Sequence, residues 1–233
     1  MSTPPATGRR VLAVDDELQI LRALKATLRA HGYEVITAAS VEEGLDAAAL
    51  APVDVAIVDL LLPDGDGIEL ATRLREWSSM PIIVLSAVGE EDEKVRALRA
   101  GADDYVTKPF GPEELVARIE AVLRRTAPDS DAAVVNVAGL EVDLAEHRVR
   151  RDGEEVHLTP TEFGLLRVFV RNRGRLLTHR MLLVEVWGPE YADDVTVLRG
   201  QIANLRRKIE PPDAARRHYI RTEPGIGYRF DPR

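Results

Sequence analysis

VLAVDD, residues 11–16, sets four apolar residues in a row and follows them at once with two carboxylates, Asp15 and Asp16. The construction recurs three times: VAIVD at 55–59 ends on Asp59, PIIVLS at 81–86 on Ser86, and DDYVTK at 103–108 on Lys108. A short run that is apolar throughout, instead of at alternate positions, suits a strand buried on both faces, as in a parallel α/β sheet. The carboxyl ends of such strands converge on one crevice. Residues as distant in sequence as 15 and 108 therefore meet there. Three carboxylates and one ammonium in one place suit a divalent cation, a phosphoryl group, or both.

Working outward, the runs alternate with amphipathic stretches: Glu17 to Ala30, Val41 to Leu50, Gly67 to Trp77, Glu90 to Ala100 and Pro112 to Arg125, with EVITAA at 34–39 as a further strand. Five βα units in sequence predict one doubly wound, five-stranded parallel sheet over residues 10–125. Residues 1–9 read as a flexible N-terminus. TAPDSDAAVV, residues 126–135, has no helical period and is rich in small and polar residues, which marks a linker. A second, α+β domain is expected over residues 136–233. Residues 137–158 alternate apolar and polar, with a turn at Asp152 and Gly153, as short antiparallel strands do. Thr159, Pro160 and Glu162 spell a capping box with proline at the first helical position, opening a helix to about Asn172 that Gly174 stops. Helices over Thr178–Trp187 and Thr196–Glu210 follow, and HYIRT and GYRF close the chain as a hairpin.

The chain has 233 residues, 45% hydrophobic and 30% charged, without cysteine, so disulfides and thiolate metal sites are excluded. No apolar run approaches the roughly 20 residues of a membrane span, and MSTPPATGRR has no signal-peptide core, so the expectation is a cytoplasmic protein with no membrane partner. The net charge of −8 is unevenly placed. Residues 1–125 carry 14 Lys/Arg against 22 Asp/Glu, whereas residues 196–233 carry 9 against 4. An acidic front and a basic tail suit different partners.

At the crevice, carboxylates gathered on one strand edge repel unless a cation lies between them, and hard oxygen ligands favour Mg²⁺. An aspartate so placed can act as nucleophile toward phosphorus, with Lys108 offsetting charge on the transferring oxygens and the Ser86 hydroxyl donating to one of them. Each residue also has an ordinary reading: an aspartate after a strand forms turns or caps helices, and a lysine before proline is commonly solvated. The isomer of the Lys108–Pro109 bond is open from sequence. An Asp-based phosphohydrolase is an alternative, but such enzymes carry a second aspartate two residues beyond the nucleophile, where this chain has Leu61.

The segments VDD (14–16), VDLLLPDGDG (58–67), LSA (85–87) and GADDYVTKPF (101–110) resemble the flavodoxin-like receiver domain of two-component response regulators. The resemblance implies that Asp59 accepts phosphate from a sensor histidine kinase and that Asp16, Asp59 and the Leu61 carbonyl bind Mg²⁺, with Asp15 assisting through water. It further implies that Ser86 and Tyr105 form a switch pair. Lys94, Asp103, Asp104, Glu114 and Arg118 resemble the ion-pair positions through which the OmpR/PhoB class forms symmetric homodimers on phosphorylation. As isolated surface charges each pair would contribute only about 0–1 kcal/mol.

In the last helix Leu198, Ile202, Leu205 and Ile209 make one apolar stripe. An advance of about 100° per residue puts Thr196, Gly200, Ala203, Asn204 and Arg207 on the opposite, exposed face, with Arg199 and Arg206 along a border. Such a helix suits a DNA major groove, where Arg reads guanine and Asn reads adenine. LTPTEFGLL, VWG, the cationic helix and GIGYRF resemble, in that order, the winged helix-turn-helix domain of the OmpR/PhoB class. That resemblance implies backbone contacts to double-stranded promoter DNA from Arg217, Arg221 and Arg229 of the wing, and an RNA polymerase contact from GPEYADD (188–194). Asn204, where Arg is frequent, and Glu223 with Pro224 in the wing turn depart from the common pattern and leave the target sequence open. A protein-docking module is the alternative for this half. LPDGDGIELATRLREWSSMPIIVLSA, TVLRGQIANLRRKIE and RTEPGIGYRF resemble the potassium-uptake regulators of the class, implying a matching sensor kinase and control of a potassium-transport operon.

Overall fold

A computed structural model describes residues 8–87, 91–125, 134–137, 139–210 and 219–232. The expected N-terminal segment up to residue 7, most of the expected linker (126–133) and Arg217 lie outside the described residues. The chain divides into two compact units, the first ending at Leu123 and the second beginning at Arg124.

Up to residue 125 the order is β1 (Arg10–Val14), α1 (Leu18–Ala30), β2 (Glu34–Ala38), α2 (Val41–Leu50), β3 (Val55–Asp59), β4 (Leu61–Leu62), β5 (Gly65–Asp66), α3 (Gly67–Arg75), β6 (Ile82–Ser86), α4 (Glu91–Arg99), β7 (Asp104–Thr107) and α5 (Pro112–Arg125), the last two residues of α5 falling in the second unit. Five strands make a parallel sheet in the order β2-β1-β3-β6-β7, as the apolar runs require. Successive strand residues point to opposite faces. Val11, Ala13, Val55, Ile57, Ile83 and Leu85 therefore join Leu24 and Leu28 of α1 and Ile119 and Val122 of α5 in one core. Leu12, Val14, Ala56, Val58, Ile82 and Val84 join Val41 of α2, Leu70 and Leu74 of α3 and Ala97 of α4 in the other. With both faces covered, only the strand ends are left for polar chemistry.

The β4–β5 hairpin, too short to show a period in sequence, shapes the loop after Asp59. Gly67 is required where that loop returns: a Cβ there would lie 2.0 Å from the Asp59 carbonyl oxygen. Helix α3 stops at Arg75, two residues short of expectation, and the Arg75 side chain bonds the Gly101, Ser78 and Met80 carbonyls.

The second unit holds β8 (Val134–Val137), β9 (Leu140–Asp143), β10 (Arg148–Arg151), β11 (Glu154–Glu155), α6 (Pro160–Arg171), β12 (Leu176–Thr178), α7 (His179–Val186), α8 (Val195–Ile209), β13 (Ile220–Glu223) and β14 (Gly227–Phe230). β8 to β11 form an antiparallel meander, so the last two residues assigned to the linker belong to β8. Asp152 and Gly153 both have positive φ, 51° and 88°, the requirement of the tight turn expected there. Thr159 and Glu162 close the capping box of α6 reciprocally, the Glu162 amide donating to Thr159 Oγ1 at 3.3 Å and the Thr159 amide to Glu162 Oε2 at 2.8 Å. The terminal hairpin gains a third strand, β12, which pairs with β14 and was not legible at three residues.

Candidate functional site

β1 is followed by Asp15, β3 ends on Asp59 and β6 on Ser86, and β7 is followed by Lys108. The expected convergence is present. Lys108 Nζ donates to Asp15 Oδ2 at 2.8 Å and lies 3.1 Å from Asp59 Oδ1. The Lys108–Pro109 bond is cis, and the Lys108 amide donates to the Ser86 carbonyl at 2.6 Å. Asp15 is fully buried, Asp59 nearly so and Asp16 exposed, and their carboxylate oxygens lie within 4.8 Å of one another. One cation can bridge that span, with its outer face open to water on the Asp16 side, so the donor set fits a hard divalent ion.

The electrostatics follow from burial. Burial is the largest influence on Asp59 and raises its pKa; Lys108 pulls it down and Asp15 pushes it up, leaving it above the ordinary carboxylate value. For Lys108, burial acts to lower the pKa, but the hydrogen bond to Asp15 and the charges of Asp59 and Asp15 together outweigh it, and the pKa is raised. The pocket thus favours a cation at Lys108 and resists a second full charge at Asp59.

Beside it, the Ser86 hydroxyl donates to Glu93 Oε2 of α4 at 3.3 Å and shares a hydrogen bond with Tyr105. The Tyr105 ring is buried, and burial, with the Glu93 charge, keeps its hydroxyl pKa raised. Glu93 was not flagged in the sequence; nothing in its spacing distinguishes it from other helix-surface carboxylates.

The expected dimer charges do not share one environment. Lys94 is half-buried, Glu114 is exposed, and Arg118 pairs with Glu114 at 2.8 Å and with Asp104 at 3.4 Å. Asp103 is no surface charge: it is fully buried, its Oδ2 2.6 Å from Arg75 Nη2 and accepting from the Ile82 amide at 3.0 Å. Asp104 is also buried and accepts from the Tyr105 amide. Of these five, Lys94, Glu114 and Arg118 reach solvent.

On α8 the exposed face is narrower than expected. Arg199, Ala203 and Arg207 are exposed and Thr196 is half-buried in line with them, but Gly200 and Asn204 are buried. The reason is that α8 packs against both α6 and α7, which doubles its covered arc. Asn204 Oδ1 accepts from Arg207 Nη2 at 3.1 Å. Arg206 is turned to the wing, donating to the Ile220 carbonyl at 2.7 Å and to Thr222 Oγ1 at 2.8 Å above the Tyr228 ring. Arg229 braces the hairpin through the Gly174 carbonyl and Glu223. Arg221 is exposed, 3.8 Å from Asp231. His179, which sequence reading passed over, stands edge-on to Tyr228, and burial together with Arg199 lowers its pKa.

Residues 11–120 match the family model of the response regulator receiver domain, and residues 153–230 that of the transcriptional regulatory protein C-terminal domain. The chain is 51% identical to the transcriptional regulatory protein KdpE of Mycobacterium tuberculosis H37Rv over 95% of this chain and 98% of that one. It is 50% identical to the KDP operon transcriptional regulatory protein KdpE of Escherichia coli K12, over 94% and 98%. Among solved structures, a mutant of RitR superposes with a TM-score of 0.77 at 27% identity, covering 96% of this chain and 99% of the other.

Proposed function

The chain belongs to the OmpR/PhoB class of two-component response regulators, and on that premise we propose that Asp59 takes a phosphoryl group from a KdpD-like sensor kinase and thereby controls binding to a potassium-transport promoter. It is a phosphorylation-controlled DNA-binding regulator of transcription and not a catalytic enzyme. The observation that carries the site assignment is Lys108 held within 3.1 Å of Asp59 beside two further aspartates.

In the reaction, an Asp59 oxygen attacks phosphorus, an O–P bond forms, the N–P bond to the donor histidine breaks, and the imidazole leaves with a proton. Mg²⁺, held by Asp16, Asp59 and the Leu61 carbonyl with Asp15 acting through water, would supply positive charge to the phosphoryl oxygens. Lys108, whose Nζ lies 3.1 Å from Asp59 Oδ1, would offset charge on a phosphoryl oxygen carried by Asp59. Leu61 offers no acid or base at the position where a phosphohydrolase needs one, so the acyl phosphate persists as a signal.

Ser86 carries one hydroxyl proton. To donate it to a phosphoryl oxygen it must release Glu93, and that exchange loosens α4 from the sheet edge. The edge formed by Lys94, Glu114 and Arg118, with Asp104 behind it, then pairs with its copy in a symmetric dimer. Dimerisation raises the effective concentration of two DNA-binding domains on neighbouring half-sites. Arg199, Ala203 and Arg207, with Thr196, face the bases, Arg221 faces the backbone, and residues 188–194 face RNA polymerase. No helix among the described residues is long and apolar enough to cross a membrane, and we place the protein in the cytoplasm.

The test is promoter binding and sedimentation before and after treatment with a small acyl phosphate, comparing wild type with Asp59→Ala. Treatment is expected to shift wild type to a dimer of higher DNA affinity and to leave the variant unchanged. Equal affinity and equal mass in all samples overturn the switch.

A further inference from the structure

Asp64 stands in the turn of the β4–β5 hairpin, exposed to water, yet both of its oxygens are engaged 22 to 23 residues away in sequence. Oδ1 accepts from the Val41 amide at 2.8 Å and Oδ2 from the Glu42 amide at 3.1 Å. These are two of the unsatisfied donors that open α2, a helix that already has its own cap: the Glu43 amide donates to Ser40 Oγ at 3.2 Å, and Glu43 reaches back to the Ala39 amide at 2.8 Å. Asp64 is therefore a second, long-range cap. It ties the hairpin after Asp59 to the segment that follows β2.

That segment is fixed in turn to β1, because the Asp15 amide donates to the Ala38 carbonyl at 3.2 Å. On its other side the hairpin is held by Asp66, which caps α3 through the Ile68 amide at 2.9 Å, and Leu62 is buried beneath it. The Gly67 amide donates to the Leu60 carbonyl at 2.8 Å, closing the loop over Asp59. A path of hydrogen bonds thus runs from the backbone of Asp15 through the start of α2 and Asp64 to the loop that carries Leu61.

We propose that Asp64 is a positioning residue for the acid pocket: its two-point grip on the start of α2 fixes the β4–β5 hairpin, and with it the Leu61 carbonyl, relative to Asp15, Asp16 and Asp59. The proposal rests on the reading of that pocket as a Mg²⁺ site. Groups that hydrogen-bond a metal's ligands typically change its affinity about 10- to 100-fold when lost; Asp64 acts through the backbone of the loop that carries Leu61, which places it at the lower end.

The experiment uses the full chain as wild type, Asp64→Ala, Asp64→Asn and Ser40→Ala. Calorimetric titration with MgCl₂ gives the affinity, and hydrogen exchange of residues 60–67 without metal reports the hairpin directly. Asp64→Ala is expected to weaken Mg²⁺ binding about 10-fold and to speed exchange across the hairpin. Asp64→Asn, which keeps one acceptor oxygen, falls between it and wild type. Ser40→Ala removes a cap from the same helix without touching the hairpin, so its thermal midpoint falls while its Mg²⁺ affinity stays that of wild type. Asp64→Ala binding Mg²⁺ within twofold of a competent wild type, or exchange unchanged across the hairpin, overturns the role of Asp64 alone. A wild-type chain that gives no Mg²⁺ signal overturns the metal reading and this role with it.

Discussion

The acid pocket and the exposed face of α8, each proposed to meet phosphate groups by charge, are built in opposite ways. In the pocket Asp15, Asp59 and Lys108 are withdrawn from water and fixed by strand ends and by each other, and the pKa values of Asp59 and Lys108 are both raised. On α8, Arg199 and Arg207 stand in water on one turn-spaced line, and the neighbouring arginine, Arg206, is held by the wing. A site for one small group gains from preorganisation in a low-dielectric setting. A site for a polyanion gains from counterion release and needs mobile, solvated cations. Burial therefore separates the charges that set the chemistry from those that meet a long partner.

The contrast is broken most severely where a charge is buried without belonging to either site. Asp103→Ala leaves the Arg75 guanidinium, already mostly buried, without its carboxylate, and an unfolding titration of the unphosphorylated chain should show a loss of about 3–5 kcal/mol. A variant as stable as wild type but defective in dimerisation would return Asp103 to the interface. Next in size, Arg199→Ala should cost about 1–3 kcal/mol in promoter affinity by fluorescence anisotropy at fixed salt. Its unfolding free energy should stay within about 0.5 kcal/mol of wild type, since the side chain is exposed. A large loss of stability instead would make α8's arginines structural.

The smallest expected effect concerns pH. Because the folded-state pKa of Asp59 is raised, the folded chain binds more protons than the unfolded one between the two values, so stability falls as pH rises through that window. Above the folded pKa the cost is constant. Asp59→Asn should accordingly raise the thermal midpoint at neutral pH, and the gain should vanish as pH falls below the ordinary carboxylate value. A stabilisation that persists there would have a cause other than charge.

Much of this was legible in the residues. Apolar runs ending in Asp, Ser and Lys gave the sheet and its crevice, because parallel strands leave only their ends polar. Thr159 with Glu162, and Asp152 with Gly153, announced local hydrogen bonds and dihedral demands that no tertiary contact had to supply. Other residues misled for definite reasons. Asp103 and Asp104 look alike, yet Asp103 is paired with Arg75, 28 residues earlier, which no local pattern encodes. Gly200 and Asn204 lie opposite the one apolar stripe of α8, but a helix gripped by two neighbours has two covered faces.

By itself the sequence determined the order and type of the main elements, the strand-end site and the division into a sheet domain and a winged one, since those follow from periodicity and short-range bonding. Tertiary structure alone decided which charges are buried, that Glu93 engages Ser86, that Arg206 belongs to the wing and that Asp64 reaches α2. Each of these depends on where residues distant in the chain come to rest, and the packing of the cores sets that position.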